Sequence, residues 1–469
     1  MNGRRPWPTQ RFRFLAAPSQ TPRADNNAVA EWPAAIGSWY ATIILTLAYV
    51  LSFMDRQILT LMIEPIQRDL GLTDVQISLV IGAAFALLYA TAGLPLGYLV
   101  DRANRRLVGA AGVAFWSVMM PVCGLAQGYG MLFVARMGVG IGEATLSPAA
   151  YSLLPDLFPP SRLVRAVGVY ATGATLGIGL AYIFGGALAQ WATSTASIPL
   201  PLIGEVASWR APFFILLVPG IVLAALVLTI REPPRRVTAL AQMQDGPAPL
   251  LGFLRSHGAA AGLLFLGMGL QSVVVQAILT WTPTLLIRRF GWSSGDIGLV
   301  LGVLLLIGGI AGTLGGARLG SSVVANGQPR RLVRLCLASG AVLLLVAPLA
   351  PLQTSGIAVL VVMALGFGIG TFATSPALSA LQLMTPNHLR GRMTALFLLV
   401  TQLIGMTVGP TLVAVLTQYA FKRPELVGYG QMCTAAVGAL GSIIAFALCE
   451  RAMRRGGMLT EAATTRVAT

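Results

Sequence analysis

The sequence predicts an all-α membrane protein of twelve transmembrane helices, arranged as two six-helix halves with both chain termini on the same side. Three observations lead there. Apolar stretches of roughly 20 residues recur along the whole chain, each long enough to cross a hydrocarbon core of about 30 Å. A long polar break near the midpoint is flanked by sequence that repeats. Arginine is distributed very unevenly among the predicted loops.

The apolar stretches set the solvent. Hydrophobic residues make up 56% of the 469 positions and charged residues only 10%, giving a mean hydropathy of +0.77. Water does not solvate such a surface, whereas lipid does. In lipid the backbone must satisfy its own hydrogen bonds, so the stretches are helices rather than open strands. The 53 glycines fit close packing of membrane helices. The spans run from 38–62 to 428–450, the fourth lying over 130–154.

Charge then sets the orientation. The net charge of +16 suggests nucleic acid only until its distribution is examined. With both termini on one side, that side collects 24 of the 32 basic residues, and the opposite side holds six: Arg68, Arg210, Arg288, Arg289, Lys422 and Arg423. This split follows the positive-inside rule and places both termini in the cytoplasm. The basic excess serves topology and contact with anionic lipid headgroups, not nucleic acid. Residues 1–36 read as a basic cytoplasmic tail, because they hold no apolar core followed by a cleavage site. A six-helix bundle over 37–231, a cytoplasmic linker over 232–258, a second bundle over 259–451 and a tail over 452–469 complete the organisation.

An internal repeat supports the division. Gly138, Gly140, Ile141, Gly142, Ser147, Pro148 and Ala149 recur 228 positions later as Gly366, Gly368, Ile369, Gly370, Ser375, Pro376 and Ala377, and Arg162 meets Arg390 in the same frame. An even number of spans gives the two halves one orientation. Parallel repeats place a binding cavity between the halves and let them rock around it, which points to a transporter rather than a channel.

The repeat also exposes a difference. Four ionisable residues lie well inside the predicted helices: Asp55 and Arg56 in the first span, Arg136 and Glu143 in the fourth. At the 228 offset their counterparts are Pro283, Thr284, Ala364 and Thr371. A charge at membrane depth costs about 3 kcal/mol or more, and is kept for a partner or a task. Asp55 and Arg56 point about 100° apart around their helix. Counting residues from the helix ends puts Asp55 and Arg136 at similar depth and predicts them as neighbours, with Glu143 nearer the midplane. A carboxyl group there without a close cation takes up protons readily, since burial disfavours its charged form. Glu143 and Asp55 are then proton exchangers, with Arg136 competing for them. The alternatives are a fixed ion-pair network that orients the two helices, and a counter-ion for substrate.

Other chemistry is not visible. His257 and His388 fall in predicted cytoplasmic loops. Cys123, Cys336, Cys433 and Cys449 fall in or at the edge of spans with no metal or disulfide spacing. The glycine-rich runs sit in apolar helices rather than after strands, so no phosphate loop forms. The expectation is a chain that is not an enzyme and needs no cofactor beyond protons as the coupling ion.

The segment Gly97-Tyr98-Leu99-Val100-Asp101-Arg102-Ala103-Asn104-Arg105-Arg106, between the second and third spans, resembles the signature loop of the major facilitator superfamily. In that family the Asp and Arg of the loop belong to a cytoplasmic gate that closes in the outward-facing state. The resemblance assigns this role to Gly97, Asp101, Arg102, Arg105 and Arg106. The second half keeps the glycine and arginines between Gly315 and Arg331 but lacks the acid, which implies an asymmetric gate. Arg136 to Ala144 resembles the family's fourth-span motif, whose Arg is implicated in proton transfer. The glycines of the fifth span are similar to the antiporter motif but lack its Gly-Pro, and Ala181 and Tyr182 follow them.

Within the superfamily the chain is most similar to the Spinster branch of lysolipid and sphingolipid transporters. The likeness rests on Met54-Asp55-Arg56, Ala114-Phe115-Trp116-Ser117, Gly142-Glu143-Ala144, Asp156-Leu157-Phe158 and Gly179-Leu180-Ala181-Tyr182. It implies a monomeric, proton-coupled exporter of an amphipathic or hydrophobic small molecule in a bacterial inner membrane. The organic-anion symporter branch also carries an Asp-Arg pair and a Gly-Glu-Ala; on that reading Arg56 anchors a carboxylate and the direction is uptake. Phe53, Tyr170, Trp281, Thr371 and Phe397 are candidate cavity residues, packing being the alternative for each aromatic.

Overall fold

The computed structural model describes residues 32–194, 197–200, 204–235, 247–326, 331–386 and 389–455. Most of both predicted tails, Arg330, His388 and the middle of the predicted linker lie outside these described residues. Eleven helical segments among them are long and apolar enough to cross a membrane.

In the first half the helices are α1 (Ala35–Leu61), a short α2 (Ile63–Leu70), α3 (Asp74–Arg102), α4 (Arg105–Gly124), α5 (Tyr129–Glu143), α6 (Leu146–Leu157) and α7 (Pro160–Ser194). A hairpin of β1 (Ser197–Leu200) and β2 (Gly204–Ala207) then leads into α8 (Ser208–Thr229). Nothing in the hydropathy pattern foretold the hairpin. The second half holds α9 (Pro247–Phe290), α10 (Ser294–Ala325), α11 (Arg331–Leu352), α12 (Gly356–Phe372), α13 (Thr374–Met384), α14 (Arg390–Phe421) and α15 (Val427–Arg455). Helix α9 starts at Pro247, inside the segment expected to be linker, so His257 is helical rather than in a loop and stacks on Phe253 at 4.9 Å.

The fourth predicted span is two helices, not one. Helix α5 stops at Glu143, a turn spans Ala144 and Thr145, and α6 begins at Leu146. The second half breaks in the equivalent place, since a turn at Ala373 separates α12 from α13 and Thr145 meets Ala373 at the 228 offset. The repeated Ser-Pro explains both breaks. Pro148 and Pro376 lack the N–H that would bond the carbonyls of Ala144 and Phe372, so the regular ladder fails at that turn.

The two halves meet at one end and part at the other. At the end far from the termini, α7 crosses α10 where a Cβ on Gly298 would lie 2.2 Å from the Tyr182 carbonyl oxygen and 2.6 Å from Gly186 Cα. Only glycine permits that approach. Helix α3 meets α14 in the same way: a Cβ on Gly82 would lie 2.0 Å from the Met406 carbonyl oxygen, beside a π-helical turn over Val80–Ala84. Toward the termini, Gly93, Gly97 and Gly168 on α3 and α7 have nothing within 4 Å of a Cβ. The buried apolar residues follow the same division. One continuous core joins the first half to the far end of the second, through Trp281, Leu285, Leu301 and Val413. A separate core, including Phe265, Leu332, Phe397 and Phe446, holds the terminus-side end of the second half alone.

Candidate functional site

The first half buries its charges between α1 and α5. Ser52 and Arg56 are four apart on α1 and share a face. Arg56 Nε donates to Glu143 Oε2 at 2.7 Å, and Arg56 Nη2 donates to Ser52 Oγ at 3.3 Å. Ser52 Oγ bonds the same carboxylate oxygen of Glu143. One residue earlier and a quarter-turn or so away, Asp55 faces Arg136, whose Nη1 donates to the Asp55 carbonyl oxygen at 3.4 Å. The expected proximity of Asp55 and Arg136 is present, but it runs through the backbone. The pairing of Arg56 with Glu143 was not foreseen, because reach across helices is invisible to spacing along one of them. It also corrects the expectation of a Glu143 without a close cation.

All four residues are buried, and the constellation is incomplete. Asp55 Oδ1, Glu143 Oε1 and Arg136 Nε and Nη2 are buried with no hydrogen-bond partner. Leaving a buried polar atom unpaired costs about 1–3 kcal/mol. Aromatic rings close the apolar side: the Arg56 guanidinium lies 4.6 Å from the centroids of Phe53 and Phe85 and 5.0 Å from Tyr89. Neither Phe85 nor Tyr89 was singled out from sequence; an aromatic pair four apart on an apolar helix carries no signal of a cation beside it.

The charged cluster opens on a narrow cleft between the halves, with room for about one water. Arg56, Gln57 and Thr60 of α1 face Gln276 and Thr280 of α9 there, with Met406 and Pro410 of α14 alongside. Of the candidate cavity residues, Phe53 is half-buried beside Arg56. Thr371 is half-buried, and its hydroxyl donates to the Gly368 carbonyl at 3.0 Å. Tyr170, Trp281 and Phe397 are fully buried. Tyr170 stacks on Tyr49 at 4.7 Å, Trp281 Nε1 donates to the Pro410 carbonyl at 2.9 Å, and Phe397 packs on Phe265. These three are packing residues in this conformation rather than cavity wall, because their faces and polar atoms are already used.

The gate residues divide into two groups. Gly97 stands in open space, and Asp101 and Arg102 are exposed, Arg102 lying over the Tyr98 ring at 4.0 Å. Arg105 is instead buried and bonds Glu232 at 2.6 Å, Asp156, and the carbonyls of Ser152 and Pro233 at 2.9 Å each. Arg106 donates to the carbonyls of Leu228 and Ile230. Arg235 binds the carbonyls of Val100, Asp101 and Ala103. Arg105 and Arg106 therefore tie the loop to its own half, while Asp101 and Arg102 face outward from it.

The sequence pattern of the Major Facilitator Superfamily matches residues 45–410. The chain belongs to the Major Facilitator Superfamily. It is 28% identical over 381 residues to an MFS-type efflux pump of Mycolicibacterium smegmatis, a match covering 81% of this chain and 84% of that protein. It is 26% identical over 433 residues to Protein spinster homolog 1 of Xenopus laevis, covering 85% and 78%. Among solved structures it is similar to a bacterial homologue of the human lysosomal transporter Spinster, in an inward-facing and unoccupied conformation. That likeness has a TM-score of 0.75 and 25% identity, and covers 92% of this chain and 99% of the other. The Spinster resemblance read from Met54-Asp55-Arg56 and Gly142-Glu143-Ala144 is thus matched by both comparisons. The relatives and the fold are those of superfamily transporters, not of enzymes, and the chain is an integral membrane transporter.

Proposed function

We propose that this superfamily member is a proton-coupled secondary transporter that exports an amphipathic, lipid-like or hydrophobic molecule across a bacterial inner membrane by alternating access. In this reading α5 and α6 together make one further crossing, for twelve, both termini are cytoplasmic, and the protein acts as a monomer. The observation that carries it is the cluster of Asp55, Arg56, Arg136 and Glu143, buried beside the cleft with several polar atoms unpaired. Rocking the halves would change which arginine each of these carboxyl groups faces, the exchange of partners that a coupling step needs. The parting of the halves toward the termini is then the cytoplasmic opening, and Asp101 and Arg102 stand ready to close it.

A second reading is favoured by the cleft's own lining. Arg56, Gln57, Thr60, Gln276 and Thr280 are polar, which suits an organic anion held by Arg56 and taken up with protons. Purified protein in liposomes separates the two. Lysophospholipids, sphingoid bases and sugar acids are offered with and without an imposed pH gradient. Export is supported if the amphiphiles move and the gradient drives them; movement of sugar acids alone overturns it. Gradient-driven transport that survives Glu143→Gln removes Glu143 from the coupling.

A further inference from the structure

The end of the molecule far from the termini carries a charged cluster that the cleft chemistry does not use. Arg288 sits in the last turn of α9, and its side chain is 11% exposed. Its Nε donates to Glu64 Oε1 at 2.6 Å. Nη1 donates to Asp74 Oδ2 at 3.1 Å and to the Pro424 carbonyl at 3.2 Å. Nη2 donates to Asp74 Oδ1 at 2.9 Å and to Gln67 Oε1 at 3.2 Å. All five N–H groups of the guanidinium are engaged, two of them as a fork on one carboxylate.

The partners belong to different halves. Glu64 and Gln67 lie on α2, and Asp74 opens α3, where a capping box between Thr73 and Gln76 fixes it. Gln67 Nε2 also donates to Asp74 Oδ1 at 2.9 Å, so the acceptors are braced against one another. Arg288 and Pro424 belong to the second half. Next to Asp74, the Val75 N–H donates across the same seam to Gln418 Oε1 at 3.2 Å. Arg68, the other cation facing Glu64, is 3.9 Å away and 81% exposed. Within the described residues, Arg288 is thus the cation that joins these acids to the opposite half.

We propose that Arg288 is a positioning residue for alternating access: an outer clasp that holds the far side shut while the terminus side is open, and that must release Glu64 and Asp74 together when the far side opens. This rests on the alternating-access reading above. One side chain delivers five bonds, so they form and break as a unit, as a two-state element requires. Without Arg288, two carboxylates would be left close together with only the exposed Arg68 beside them, and the closed far side would lose its preference.

The test reads which side of the membrane reaches the cleft. Gln276→Cys, on the second half's wall of the cleft, is placed in a background whose four native cysteines are replaced by alanine. Intact cells and inside-out vesicles are labelled with a membrane-impermeant maleimide. Without further change, labelling is expected from the cytoplasmic face and hardly at all from outside. Arg288→Ala is expected to raise outside labelling about tenfold, the shift that about 1.4 kcal/mol produces. Asp74→Asn, which weakens the fork but spares the arginine, should raise it less. Arg288→Lys should recover part of the closure, because lysine restores the charge but not the fork. Arg68→Ala should leave it unchanged.

If Arg288→Ala and Asp74→Asn both label from outside within twofold of the Gln276→Cys parent, while eluting as the parent does, the clasp is refuted. If the parent itself labels equally from both sides, the alternating-access reading fails instead, whatever Arg288 does.

Discussion

Glu143 and Asp55 are both buried carboxyl groups beside an arginine, yet their removal should cost the protein different amounts. Glu143 is tied directly to Arg56 by a 2.7 Å ion pair, with Ser52 on the same oxygen. Glu143→Gln keeps the shape and one acceptor but leaves the Arg56 guanidinium as an uncompensated buried cation. Breaking one side of a buried pair costs about 3–5 kcal/mol, and the retained amide acceptor places this case near the lower figure. Asp55 differs. Its Oδ1 has no partner, and the atom that receives Arg136 is its backbone carbonyl, which Asp55→Asn preserves. That substitution should cost about 1 kcal/mol or less. Thermal unfolding of the purified protein in detergent near neutral pH reads the difference. Glu143→Gln should lower the midpoint by roughly 5 °C and Asp55→Asn by no more than about 2 °C. Equal losses, or a larger loss for Asp55→Asn, would refute the view that Glu143 carries the structural ion pair and Asp55 does not.

Arg105→Ala should destabilise by about 3–5 kcal/mol, because it strips Asp156 and Glu232 of a shared cation and two carbonyls of a donor; Arg105→Lys should restore little, since one ammonium does not reach all four, and unfolding midpoints of both variants check this. Trp281→Phe removes the bond to the Pro410 carbonyl and should cost about 1–2 kcal/mol while leaving substrate preference unchanged, as expected of a packing residue; a changed preference in the liposome assay would return Trp281 to the cavity. Gly298→Ala would push a methyl against the Tyr182 carbonyl and should part α7 from α10 at the far end. The expected sign is greater outside labelling of the cleft, and unchanged labelling would mean the crossing has slack.

What the sequence made legible was whatever repeats or alternates along the chain. Helix number, the midpoint break and the charge split are sums over many residues, and small local errors leave them intact. The repeat at an offset of 228 also carries the broken helices, in Pro148 and Pro376, whose missing N–H groups interrupt the ladder at Ala144 and Phe372. Partners were harder to see. Arg56 and Glu143 are 87 positions apart, and Arg288 and Glu64 are 224 apart. Both contacts depend on how far a guanidinium reaches from a packed helix, which no spacing rule encodes. Arg105 shows the same limit: the loop motif sets it beside Asp101 and Arg102, but burial against Asp156 and Glu232 gives it a structural task.

The repeated break also suggests why the charge lies in one half. In both halves a glycine-rich helix ends just before the Ser-Pro turn, and its final residues face their neighbours rather than lipid. In the second half that place is held by Thr371, whose hydroxyl is satisfied locally by the Gly368 carbonyl three residues earlier. In the first half it is held by Glu143, whose carboxylate finds no local donor and must recruit Ser52 and Arg56 from α1. A threonine there closes its own turn; a glutamate there couples two helices. The counterpart of Arg56 at the 228 offset is Thr284, so the second half lacks both members of the pair. The two halves thus share equivalent helix ends, and in the first of them an ion pair ties that end to α1.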